Sequence, residues 1–131
     1  MTPKEYLQQY GTAMRRIRAI SDHLAELRAI AENLRTEDGH RVELDAAVAN
    51  LVDTERKVSA EVAKLCKLET EIACTIDRMQ EPYRTLLYER YINGKTWEQV
   101  AVSMNYSYVH VVHNLHPKAL KTVRDLIAFN T

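Results

Sequence analysis

His110, His113 and His116 stand three residues apart near the end of the chain, among Ser107, Tyr108, Val109, Val112 and Asn114. Three imidazoles so close together suggest zinc. On a helix, however, residues at this spacing fan across one side and do not converge, and no Cys, Asp or Glu lies among them, so no metal is expected. Ser103 and Ser107 have no acidic residue placed to orient a histidine toward them, which argues against a nucleophilic enzyme. Asn93-Gly94-Lys95 lacks the glycine pattern of a phosphate-cradling loop, and no cofactor is expected. These residue types suit reading the edges of bases. Imidazoles donate hydrogen bonds, Asn114 can pair bidentately with adenine, and Val or Tyr can touch thymine methyl groups.

The elements around them fit that use. Thr96 with Gln99 three residues later forms a capping box, and Val100, Ala101 and Met104 follow at helical spacing. Asn105-Tyr106 interrupts the run, and Ser107 can cap a second helix whose inner edge is Val111 and Leu115. Two short helices across a tight turn form a helix-turn-helix, whose second helix enters the major groove of double-stranded DNA. The expected interface comprises Lys95, Thr96, Gln99, Ser107, Tyr108, Val109, His110, Val112, His113, Asn114, Lys118 and Lys121. Trp97, just inside the first cap, is expected to pack on Tyr91 and Leu87. Pro117 should kink or stop the second helix near His116, leaving Lys118 and Lys121 for phosphates.

Upstream, Thr2-Pro3-Lys4-Glu5 opens a helix with a capping box and a proline at the first helical position. A 3-4 spacing then runs through Tyr6, Tyr10, Ala13, Ile17, Ile20, Leu24, Leu27, Ala31 and Leu34. After the polar turn Thr36–His40, a second seam reads Leu44, Val48, Leu51, Glu55, Val58, Val62, Leu65, Glu69, Ile72, Ile76 and Met79. Two such seams predict an antiparallel, coiled-coil-like hairpin over residues 1–79. Glu55 and Glu69 fall at core positions of that reading, where Arg15, Arg16, Arg18 or Arg28 would partner them. The hairpin buries one stripe per helix, so its seams are expected to pack also against the C-terminal helices or against another copy of the chain, and homodimerisation is expected. Glu81-Pro82 then starts a helix carrying Tyr83, Leu86, Leu87 and Tyr91 and ending at Asn93-Gly94, and Lys118–Phe129 forms a last amphipathic stretch. The fold class is therefore all-α, with a second domain over residues 80–131.

Composition sets the bounds. The chain carries 18 basic and 18 acidic residues, which is not the balance of a non-specific nucleic-acid coat. Residues 1–79 hold 12 Lys/Arg against 14 Asp/Glu, and residues 80–131 hold 6 against 4. No apolar run reaches the ~20 residues that span a bilayer. Cys66 and Cys74 are eight residues apart, ~12 Å along one helix, too far to bridge within it. They read as half-buried, reduced thiols, and no membrane partner is expected. The expected location is the cytosol.

The run from Arg84 to Ala101 resembles region 4 of bacterial sigma factors. It has a leucine-rich helix ending in Arg90-Tyr91, the turn Gly94-Lys95-Thr96, and an acidic first turn before Val100-Ala101. Tyr106-Ser107 and Lys118-Ala119-Leu120 match the start and exit of the recognition helix. The likeness covers residues 83–120. With the hairpin, the layout is similar to small phage and prophage transcriptional regulators. The resemblance implies a reader of promoter or operator DNA that works beside RNA polymerase and controls phage genes. It departs from the family in having no Arg or Lys between Lys95 and Lys118, which removes the arginine–guanine contact and favours an A·T-leaning site. The competing expectation is a helical interaction module, an anti-sigma-like adaptor or a phage assembly component, that keeps the motif without binding DNA.

Overall fold

Several of the helices begin where a side chain satisfies free backbone N–H groups of the first turn. The computed structural model describes residues 1–130, of which residues 129–130 are described by their backbone alone. Thr2 Oγ1 accepts from the Glu5 amide at 3.1 Å while Glu5 returns a carboxylate to the Thr2 amide at 3.2 Å, and α1 (Pro3–Thr36) starts between them. A turn with Gly39 at φ +86° leads into α2 (Arg41–Asp77). The shorter helices follow: α3 (Tyr83–Leu87), α4 (Trp97–Met104), α5 (Tyr108–His110) and α6 (His116–Asn130). The described residues contain no strand, and the fold is all-α. None of these helices is long and apolar enough to cross a membrane.

Contacts group the chain into two compact units that cut across residue 79: Ala13–Leu65 forms one, and Met1–Thr12 with Cys66–Thr131 the other. The reason lies in the second unit's core. Tyr6, Leu7, Ile72, Ile76 and Met79 belong to the same buried cluster as Leu86, Leu87, Tyr91, Val100, Val111, Leu115, Ala119 and Val123. Short helices with one apolar stripe each cannot enclose a core, and the long-helix segments supply the missing wall. Leu120, Leu126 and Ile127 pack against this cluster, as the amphipathic pattern of the last stretch required.

In the Ala13–Leu65 unit α1 keeps its expected seam, with Leu24, Leu27 and Ala31 buried. The α2 seam is different. Leu44, Ala47, Leu51, Thr54, Val58, Glu61 and Leu65 face inward, whereas Val48, Glu55 and Val62 are exposed. The same shift recurs in the other unit, where Leu68 is half-buried and Glu69 exposed. Two 3-4 patterns are interleaved on α2 and share Leu44, Leu51, Val58 and Leu65, so neither Glu55 nor Glu69 is a core residue. Glu55 does meet one of its proposed partners, Arg28, at 3.3 Å, but as an exposed pair. Glu61, facing inward, pairs with Arg16 at 3.4 Å. The pairing of residue 16 with 61 and 28 with 55 fixes the antiparallel sense. Both cysteines are exposed, not half-buried.

Two π turns interrupt the C-terminal helices. Tyr88–Ile92 extends α3, and Val111–Leu115 joins α5 to α6 without a break. The helix therefore continues through Pro117 to Asn130 and does not stop at His116. In an unbroken α-helix Pro117 would leave the His113 carbonyl without a donor and press its ring against it. The wider turn just before it sends the His116 amide back to the Val111 carbonyl, and this accommodates the proline.

Candidate nucleic-acid interface

The helix-turn-helix is built from its caps. Gln99 donates its amide to Thr96 Oγ1 at 3.2 Å, and its side-chain oxygen accepts from the Thr96 amide at 2.9 Å. Asn105 ends α4 in the left-handed conformation at φ 61°, a position asparagine tolerates. The Tyr106 amide then donates to the Ala101 carbonyl at 3.0 Å. Ser107 Oγ accepts from the His110 amide at 3.1 Å and starts α5. Val100, Ala101, Val111 and Leu115 are buried between the two helices and the rest of their unit.

With those four inward, the second helix turns Tyr108, Val109, His113 and Asn114 to solvent, with Val112 and His110 half-buried at the edge. Asn114 Nδ2 lies 3.0 Å from His110 Nδ1, and the Tyr106 ring packs on His110 with centroids 5.4 Å apart. An amide nitrogen only donates, so this contact has Nδ1 accepting and the neutral His110 ring carrying its proton on Nε2. Lys118 and Lys121 are exposed on α6, beyond the π turn. Six side chains of the second helix, with Lys118 and Lys121 beyond it, thus surround the side opposite Val111 and Leu115.

Four expected interface residues serve the scaffold, Ser107 through its cap on α5. Thr96 and Gln99 hold each other in the capping box. Lys95 forms a tight ion pair with Glu89, whose carboxylate also accepts from Asn93 at 2.8 Å and Ser103 at 3.1 Å. The Lys95 ammonium, more than any other neighbour, holds the Glu89 carboxyl below its usual range. Lys95 thus braces the turn before α4 and is not a free phosphate ligand like Lys118.

His116 corrects the sequence reading more sharply, because it was expected on the surface with the other two imidazoles. It is buried, and its Nε2 lies 2.8 Å from the Tyr91 hydroxyl. Trp97 is half-buried against it, with ring centroids 4.4 Å apart, and the Arg90 guanidinium sits 4.6 Å above the indole. Arg90 also donates to the Lys95 carbonyl at 2.8 Å, so one cation ties the turn to the aromatic cluster. Burial lowers the His116 pKa to about 4, with Lys4 and Arg90 adding to the effect. Burial also raises Tyr91 to about 12, against the opposing influence of Arg90. The helical signal for His116 was its place beside Leu115, one turn before Ala119. The even spacing of the three histidines concealed it. Tyr106, a further neighbour of the exposed face, reads in the sequence as the break between the helices and as part of the match to the recognition-helix start, and not as a contact residue.

Among the described residues no group of three or more His, Cys, Asp or Glu converges as a metal site. Compared with protein-family models, curated proteins and solved structures, the chain matches none.

Proposed function

We propose that this chain is a DNA-binding transcriptional regulator of the phage or prophage sigma-region-4-like kind. The helix that starts at Tyr108 lies in the major groove, with Lys118 and Lys121 on the flanking phosphates and RNA polymerase as a neighbour. One observation carries this reading: the second helix of a capped helix-turn-helix is anchored by Val111 and Leu115 and leaves Tyr108, Val109, His113 and Asn114 outward. The outward set has no arginine or lysine, so contacts to thymine methyls and single imidazole donors take the place of bidentate guanine recognition.

Fluorescence anisotropy with labelled A·T-rich and G·C-rich duplexes over a range of salt tests this. The A·T-rich duplexes should bind more tightly, and a Tyr108→Ala/His113→Ala variant should lose about 1–3 kcal/mol of that preference per contact while staying folded. Equal binding to every duplex, or an unchanged preference in the variant, overturns it.

A second reading has its own support. Val102 is 82% exposed and Val109 62%, and Lys95, which shares a shallow cavity with Val102, is neutralised by Glu89. Exposed valines without a free cation beside Val102 suit a protein partner, and the chain would then be an interaction module that binds no duplex at physiological salt.

A further inference from the structure

The Ala13–Leu65 unit holds an unpartnered face whose chemistry describes its own occupant. On one side of the hairpin α2 presents Val48, Val52 and Val62, which are 37%, 40% and 40% exposed. These valines alternate with Asp45, Glu55 and Ser59 at 3-4 spacing; no lysine or arginine falls in that stripe between Asp45 and Val62, and Arg41 lies at its end, in the first turn of α2. The matching stripe of α1 carries Met14, Arg18, Ser21, Ala25, Arg28 and Arg35, with Glu32 as its one acid. The Arg28–Glu55 ion pair crosses between the helices on this side and shows that the two stripes form one face.

Behind this face the core is thin. Ile17, Ile20, Leu34, Leu44, Leu51, Val58 and Leu65 are only half-buried, although each points along its seam. A hairpin that leaves so much of its seam wet gains from a second layer of helices.

We infer that this face binds a second copy of the chain, forming a four-helix bundle in which α1 of each copy lies against α2 of the other. The charges decide both the partner and its direction. A basic-and-small stripe beside an acidic-and-valine stripe is self-complementary under a two-fold axis parallel to the helices. In that arrangement both turns at Gly39 lie at the same end and every neighbouring helix pair is antiparallel. Arg28 and Glu55 of the two copies then alternate in sign around the bundle at one level, Arg35 faces Asp45, and Met14 faces Val62. The opposed arrangement, with turns at opposite ends, sets the stripe of α1 that carries Arg18, Arg28 and Arg35 against the same stripe of the other copy, and like charges across a helix pair oppose it. Ser21, Ala25 and Ser59 provide the small side chains that let the layers approach. The inference is independent of DNA binding.

The experiment uses the full chain without DNA. Light scattering across a dilution series should give twice the 15.1 kDa chain mass. Val48→Glu/Val62→Glu places charge on positions already exposed in the single chain. Helicity should therefore survive by circular dichroism while the dimer dissociation constant rises at least about thirtyfold. Arg28→Glu alone should weaken the dimer, and adding Glu55→Arg should restore it, because the reversed set alternates as before. For direction, Asp38→Cys in a Cys66→Ser/Cys74→Ser background should cross-link between copies. Opposed hairpins would hold these residues farther apart than the ~36 Å length of an α1 segment from 13 to 36. A chain of single mass at every concentration, a dimer indifferent to the valine changes, or one whose turns fail to cross-link overturns the inference.

Discussion

The Tyr91 hydroxyl and His116 Nε2 lie 2.8 Å apart inside the C-terminal unit, and burial keeps both groups neutral. The pair links the turn before α4 to the helix that carries the exposed face. Its state therefore governs how firmly the candidate interface is held.

This gives the chain a defined acid sensitivity. His116 binds its proton with a pKa near 6.5 when unfolded and about 4 when folded, so the unfolded state takes up the proton first as pH falls. The stability that depends on neutral His116 is complete above pH 6.5 and lost between there and pH 4. After allowance for partial solvent screening, the loss should be roughly 2 kcal/mol. The carboxyl of Glu89 is lowered, so its contribution is lost below the ordinary carboxylate value of 4.5, in a separate window. Urea unfolding from pH 7 to pH 4 checks this. His116→Leu should flatten the slope above pH 4.5, and an unchanged slope would assign it elsewhere. At the other extreme Tyr91 should destabilise the fold above pH 10.

The register of α2 makes neighbouring residues behave oppositely. Thr54 is buried, with its hydroxyl donating to the Asn50 carbonyl at 2.9 Å, while Glu55 is exposed. Thr54→Asp places an unpaired charge inside the hairpin and should cost at least about 3 kcal/mol by chemical unfolding. Glu55→Ala removes a solvated ion pair and should cost under about 1 kcal/mol in the single chain. The reverse order would restore Glu55 to the core.

That register shows where sequence was and was not enough. Helix ends were legible because caps act locally: Thr2 with Glu5, Thr96 with Gln99, and Ser107 all do what their types and spacing dictate. The choice between Thr54 and Glu55 was not legible. Both lie on 3-4 ladders through the same leucines, and the valines at 48 and 62 favour the wrong one. Which ladder faces inward depends on where α1 lies. His116 was missed for a different reason: its place beside Leu115 and before Ala119 marked it as inward, but the even spacing of the three histidines outweighed that local signal. The outward placement of Tyr108 and His113 was readable, because Val111 and Leu115 gave the inner edge.

The lysines of the candidate interface should separate by salt dependence. Lys118→Ala and Lys121→Ala should each weaken binding to all duplexes alike and lower the log–log salt slope by about 0.9. Lys95→Ala should leave the slope nearly unchanged. It should instead lower the melting temperature, because Glu89, a largely covered carboxylate, loses the cation that stabilises it. A full unit of slope lost with Lys95 would make it a phosphate ligand after all.

The π turn at Val111–Leu115 holds one residue more than an α-helical path between the same ends would need. Such slack is a reserve of length inside an otherwise rigid element. Shortening the chain by one residue there could be absorbed by tightening the turn, with α6 kept in phase with its buried neighbours. Pro117 guards that reserve, because a tightened turn would drive its ring onto the carbonyl behind it. Length and proline are thus coupled: the chain tolerates losing the extra residue only when position 117 is also free to donate.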